Sequence, residues 1–484
     1  MRRPVHYSAV FATVAVLLTL DGCGGSTIPS SPSIPNNPVV YGEWTWVSGS
    51  STVNQAGIYG TQGVAAPGNT PGARSGAASW TDASGNLWLF GGNYGYGGTG
   101  LIGPGGQTNE VYGDFSDLWK FNAGQWAWVG GNNGLASQVA GVYGAKGVPS
   151  VSNQPGARHG ATTWTDTSGN FWLFGGIAYD SANKQGYIND LWEYSNGQWI
   201  WISGVSTVNQ PGAYGTQGTA STGNAPGARS GATSWMDASG AFWLFGGVGY
   251  DSSGTACYNI IGAVCALNDL WKFSGGQWTW VTGANVMNQQ GIYGAKGTPS
   301  PGNSPGGRAD ASGVVDSSGN LWLIGGNGFD AAGGLGPLND LWKFSGGQWI
   351  WVGGSSTISQ PGTYGSQGVT ASGNSPGARW LSTAWIDKAG NIWLFGGQGY
   401  DEAGNYSRLN DLWKYSNSQW TWMSGSSVGM QSGTYGTQGT PAAGNVPGAR
   451  EWATGWIDAS GNLWLFGGSD SSGNNLNDLW EYQP

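Results

Sequence analysis

"PGARSGAASWTDASGNLWLFGG", Pro71–Gly92, returns five more times with small edits, beginning at Pro155, Pro226, Pro305, Pro376 and Pro447. Its Gly-Gly doublets, led by Gly91, Gly175, Gly246, Gly325, Gly396 and Gly467, are spaced by 84, 71, 79, 71 and 71 residues. The arginines Arg74, Arg158, Arg229, Arg308, Arg379 and Arg450 repeat with the same spacings. A period of this kind marks a repeat architecture, in which one large domain replaces the two or three that 484 residues would otherwise suggest.

Outward from that stretch, each unit holds four apolar, aromatic-rich runs in one order. They are the Arg-led run ending in Trp, then "NLWLFGG", "NDLWKF" and "GQWTWV". Period-2 alternation over short runs bounded by Gly, Asn and Ser predicts strands, called a to d below. "DASGN" between a and b and "SGGQ" between c and d are rich in residues that tolerate positive φ, as hairpins need. No stretch has helical periodicity.

Four antiparallel strands per unit, a Gly-Gly after strand b and a Trp in every strand d resemble the kelch repeat. Six copies resemble a six-bladed, all-β kelch propeller of the galactose-oxidase-like superfamily, covering Trp44 to Tyr482. Kelch units run about 50 residues. These are longer because "GSSTVNQAGIYGTQGVAAPGNTPGAR" and its copies join strand d to the next strand a. Every copy keeps a Tyr-Gly pair (Tyr59, Tyr143, Tyr214, Tyr293, Tyr364, Tyr435), which points to a packed structural ring. The first "WTWV", at Trp44, is a strand d with no unit before it, and the last unit stops after strand c at Tyr482. Pairing the two would close the last blade and remove an open edge.

Composition bounds the function. Ninety-two glycines would suit a disordered chain, but 13% aromatic residues at a fixed period require a folded one. Charged residues are only 9% and the net charge is −9, which leaves no basic field for nucleic acid. Arg2 and Arg3 precede an apolar run ending in Leu20-Asp21-Gly22-Cys23. That pattern resembles a bacterial lipobox, with Asp21 where a small or apolar residue is usual, and implies lipidation of Cys23 after removal of a signal peptide. The expected organisation is a signal over 1–23, a Gly/Ser/Pro-rich tether over 24–40 and the propeller over 41–484. The expected place is the bacterial cell envelope, lipid-anchored at the outer membrane facing the periplasm or the exterior, or secreted. The expected partners are the membrane, through the anchor, and a glycan or protein ligand, with the chain itself a monomer.

Most candidate chemistry is absorbed by the repeat. Twenty-nine of the 31 tryptophans occupy repeated positions, as packing between blades requires. Asp117, Asp190, Asp269, Asp340, Asp411 and Asp478 also share one position and are expected to pair or cap within a blade. The copper-radical chemistry associated with galactose-oxidase-like propellers needs two histidine ligands and a tyrosine cross-linked to cysteine. With His6 lost in the signal, only His159 remains, which disfavours that site, and no cofactor is expected. Cys257 and Cys265, in the b-to-c loop of the third unit, have no His partners and read as a structural disulfide.

The edits carry the remaining signal. The two positions after the repeated arginine read Ser75-Gly76, His159-Gly160, Ser230-Gly231, Ala309-Asp310, Trp380-Leu381 and Glu451-Trp452. The two off-pattern tryptophans, the lone mature histidine and two unpatterned acids fall at this one place. In kelch propellers strand a is innermost, so the resemblance implies one cluster at the mouth of the central channel. Its candidates are His159, Asp310, Arg379, Trp380, Arg450, Glu451 and Trp452, with the tryptophans stacking and Arg379 and Arg450 donating to a carboxylate. The bland alternative pairs the arginines with blade carboxylates. Two functions stay open: a binding scaffold for a glycan or peptide, and a metal-free sugar enzyme such as a mutarotase or lyase with His159 or Glu451 as acid-base group.

Overall fold

The computed structural model describes residues 42–95, 112–134, 139–255 and 265–484. Cys23, the tether and Cys257 lie outside these residues; Cys265, the expected disulfide partner, is buried. Among the described residues every regular element is a strand. Six antiparallel sheets carry the order a-b-c-d expected from the repeat. Sheet 1 runs Ala78–Thr81, Leu87–Phe90, Leu118–Asn122 and Gln125–Gly130. Sheets 2 to 5 repeat it, with strand a at Thr162–Thr165, Thr233–Met236, Ser312–Val315 and Thr383–Ile386. In sheet 6, Thr454–Ile457, Leu463–Phe466 and Leu479–Tyr482 are joined by Trp44–Ser48, which pairs Trp44 with Tyr482 and Trp46 with Trp480. Repeated four-stranded antiparallel sheets of this kind fit a β-propeller.

The alternation that predicted strands also decides their faces. In strand a of sheet 1, Ala78 and Trp80 are buried and Ser79 and Thr81 are half-buried, and the same pattern holds in sheets 2, 3 and 4. The inner tryptophan reaches the next sheet: the Trp80 indole donates to the Trp172 carbonyl and stacks on Phe171 at 5.4 Å. Hydroxyls do the same between strands a, from Thr233 to Ala311, Ser312 to Ser382 and Thr383 to Ala453, and from Thr454 back to Ala77. The sixth sheet therefore bonds to the first.

The Gly-Gly doublet has a direct cause. Gly467 and Gly468 have φ of 63° and 92°, and a Cβ on Gly467 would stand 2.7 Å from the Arg74 carbonyl oxygen of sheet 1. Gly468 donates its amide to that same carbonyl. Two neighbouring sheets approach too closely here for any side chain.

Candidate functional site

Each repeated arginine is buried and locked. Arg74 donates through Nη1 and Nη2 to the two oxygens of Asp117 at 2.6 and 2.8 Å, and through Nε and Nη1 to the Gly72 and Gly91 carbonyls. The same Asp117 oxygen that takes Nη2 accepts from the Tyr59 hydroxyl and the Trp119 indole, both at 2.7 Å. This four-residue knot recurs in all six sheets and explains the repeated Arg, Asp and Tyr together. Burial and the adjacent carboxylate push each of these tyrosines far above the ordinary phenol value.

Arg379 and Arg450 are part of that knot, each 1% exposed and paired with Asp411 and Asp478. This corrects their expected place as donors to a ligand: a guanidinium already bidentate to a buried carboxylate has no free fork. It also removes the cations on which an anionic ligand would have depended.

The Arg-led run is not one continuous strand a. It breaks two residues after the arginine, where the chain turns through positive φ: Gly76 63°, Gly160 63°, Gly231 64°, Asp310 54°, Leu381 55° and Trp452 57°. These six residues form a closed ring of backbone hydrogen bonds. Gly160 donates to Gly76, Gly231 to Gly160, Asp310 to Gly231, Leu381 to Asp310, Trp452 to Leu381 and Gly76 to Trp452, all at 2.8 to 3.0 Å. Left-handed backbone costs a side-chain-bearing L-residue roughly 1 to 2 kcal/mol, least for Asp and more for a bulky residue. Three positions accept that cost where glycine would avoid it. The ring lines a cavity of about 160 Å³ into which Asp310, Leu381 and Trp452 bring their side chains.

Glycines beside them in the ring make the room. The Trp452 indole lies against Gly76 and Gly160, and the Asp310 carboxylate sits over Gly231. The His159 ring meets Trp452 edge-on at 5.5 Å. Its Nδ1 is 2.6 Å from an oxygen of the fully buried Asp114, which also accepts from Asn93 and, through its other oxygen, from Gln185. Glu451, 8% exposed, takes an ion pair from Arg408 at 2.5 Å through Oε1 and leaves Oε2 without a partner. Trp380 stands apart from the cavity lining, on the neighbouring strand, with its indole donating to the Tyr406 hydroxyl at 2.9 Å.

Two acids at this site are shifted. Burial pushes the Asp310 carboxyl up to about 7; Glu451 adds to the rise and His159 opposes it. Burial likewise raises Glu451, against the pull of Arg408. Of the sequence candidates, then, Asp310 and Trp452 share the cavity, with His159 and Glu451 beside them; Trp380 flanks it and the two arginines do not reach it. Leu381, Asp114, Tyr406 and Arg408 were missed as site residues. The last three lie in the b-to-c segments: Asp114 falls in one of unique length, while Tyr406 aligns with Gln185 and Leu335, and Arg408 with Tyr187 and Pro337, a register in which every copy differs, so no common residue marks them as edits.

No protein-family model matches the chain, and no curated protein matches it. Solved structures do, remotely. A structure described as that of YjhT is 14% identical with a TM-score of 0.47, over 85% of this chain and 95% of that one. A copper complex of a fungal alcohol oxidase of the AA5 family is 12% identical with a TM-score of 0.41, over 88% and 76%. A Bacteroides thetaiotaomicron protein of unknown function is 8% identical with a TM-score of 0.46, over 91% and 75%.

Proposed function

We propose that this chain is a membrane-tethered, extracytoplasmic binding scaffold, a six-bladed kelch-type propeller closed by its N-terminal strand, that takes a glycan or peptide ligand at the channel mouth. The six sheets are its blades, and Cys23 carries the lipid. The observation that supports a ligand is the hydrogen-bonded ring. Where three units keep glycine at positive φ, the other three hold Asp, Leu and Trp in the same strained conformation and aim them at one cavity. Strain of this kind persists where the surrounding structure enforces it, and it clusters at ligand sites. A carboxylate and an indole lining the same cavity supply an acceptor and a stacking face.

The test is a thermal-shift screen of sugars, sialic acids and short peptides against the wild type and Trp452→Gly, a substitution to the residue that other units already carry there. Ligand-dependent stabilisation of the wild type that the variant loses supports the reading. Stabilisation equal in both places the ligand elsewhere and defeats it.

The His159–Asp114 pair favours a second reading, the metal-free sugar enzyme. A buried carboxylate that holds one imidazole nitrogen leaves the other as the working acid or base. Among the described residues Nε2 makes no hydrogen bond. Proton NMR of anomer exchange, with His159→Gln as control, tests it: exchange no faster than without protein excludes the activity.

A further inference from the structure

We infer that the channel-mouth cavity selects a small ligand bearing an ammonium group, with Asp310 as its counter-ion and the Trp452 indole as its aromatic wall. This deepens, and rests on, the proposal that the mouth is a ligand site.

Most charges at the mouth are already cancelled. Each repeated arginine is neutralised by its own aspartate. His159 is paired with Asp114, and Arg408 with Glu451. Among the described residues no cation contacts the Asp310 carboxylate and no donor bonds to it. It therefore has no hydrogen-bond or ion-pair partner among them; Glu451 beside the cavity repels it and His159 attracts it without touching it. A half-buried carboxylate that no protein donor bonds favours the arrival of a cation or a proton.

The backbone narrows the choice further. A ring of six amides could have formed an anion cradle, but every one of the six is spent on the next ring carbonyl. An anionic ligand would find no free amide there and would face Asp310. An ammonium group brings three donors and a positive charge, which suits a lone carboxylate and an aromatic face together. The volume, about 160 Å³, is well below that of pockets for drug-sized ligands, so a single ring or short chain fits. Glu451, with Oε2 unpartnered, adds field of the same sign. The shift of Asp310 gives the pH dependence: protons compete with the cation, and affinity rises as pH passes upward through about 7, with His159, Asp114, Glu451 and Arg408 as the other ionisable groups nearby.

The source of the amine is decided by four probes titrated into the intact protein and followed by calorimetry and tryptophan fluorescence: glucosamine, N-acetylglucosamine, glucuronate and putrescine. Glucosamine is expected to bind, with N-acetylglucosamine and glucuronate about tenfold weaker or more, the worth of one charge-assisted hydrogen bond. Asp310→Asn should abolish that preference without lowering Tm. Putrescine equal to glucosamine assigns an alkyl amine; putrescine much weaker assigns an amino sugar. Glucuronate or N-acetylglucosamine binding as well as glucosamine, an amine preference surviving Asp310→Asn, or no binding by any probe each overturns the inference. If N-acetylglucosamine binds as well as glucosamine and Trp452→Gly loses both, the mouth remains a ligand site and only its cation selectivity fails.

Discussion

The Trp452 indole fills the space that a side chain on Gly76 would need: a Cβ at Gly76 would stand 3.0 Å from Trp452 Cε2. The two residues are 376 positions apart and are also bonded directly, Gly76 amide to Trp452 carbonyl at 2.9 Å. One contact thus joins the last sheet to the first and shapes the cavity wall.

Gly76→Ala is therefore expected to destabilise the protein by roughly 1 to 2 kcal/mol through its φ of 63°, and more if Trp452 cannot yield. In the double variant with Trp452→Gly the steric part disappears, so the two effects should fall short of additive. Urea unfolding of the four-member cycle measures this. Strict additivity would mean that the indole leaves Gly76 room in solution.

Arg450→Ala and Arg379→Ala should act on stability rather than on ligand affinity. Each strands a buried aspartate that also serves a tyrosine and a tryptophan, and breaking a buried ion pair from one side costs about 3 to 5 kcal/mol. Denaturant titration, with affinity measured on the folded fraction, separates the two roles. A stable variant that has lost binding would return these arginines to the ligand site.

Stability should fall as pH rises from about 4 to about 7 and level off above. Asp310 has its folded pKa raised to about 7, so its contribution is whole below the unfolded value near 3.8 and is lost as pH climbs through about 7. Glu451, also raised, acts in the same direction. One proton limits the slope from Asp310 to about 1.4 kcal/mol per pH unit. Asp310→Asn should flatten the profile between pH 4 and 7, and an unchanged profile would show that the carboxyl is well solvated.

Deleting Gly42–Ser48 should lower Tm and promote association. It removes the partner of Leu479–Tyr482 and exposes the ring contacts of Trp44 with Phe395, Trp480 and Tyr482. Gel filtration and calorimetry of the truncated chain provide the check. A monomer that melts like the full chain would refute closure by this strand.

Cys257 and Cys265 should resist thiol labelling in the unreduced, denatured protein. Their short loop limits the stabilisation to about 2 to 3 kcal/mol. Two labelled thiols would rule the bond out.

Strand order, hairpins and the packing role of the tryptophans were legible in the sequence because a repeated unit places the same side chain in the same environment six times. A residue seen at every copy, such as Trp80 or Asp117, reads as structure for that reason. The edits after the arginines were legible as departures from the pattern, and two of them, Asp310 and Trp452, do share a cavity. Asp114, Tyr406 and Arg408 were not: Asp114 sits in a b-to-c segment of unique length, and Tyr406 and Arg408 sit at aligned positions where all three copies differ, so there is no common residue for an edit to depart from.

What the sequence determined by itself is the local chemistry: alternation buries one face of each strand, and Gly-Gly permits close approach. What only the tertiary structure decided is which charges are already satisfied. Arg450 and Asp310 look equally available in the sequence. In the fold Arg450 meets Asp478 across 28 residues, while among the described residues no cation pairs with Asp310, because electrostatic partners are set by distance in space and not along the chain. That difference is why the proposed ligand carries a positive charge rather than a negative one.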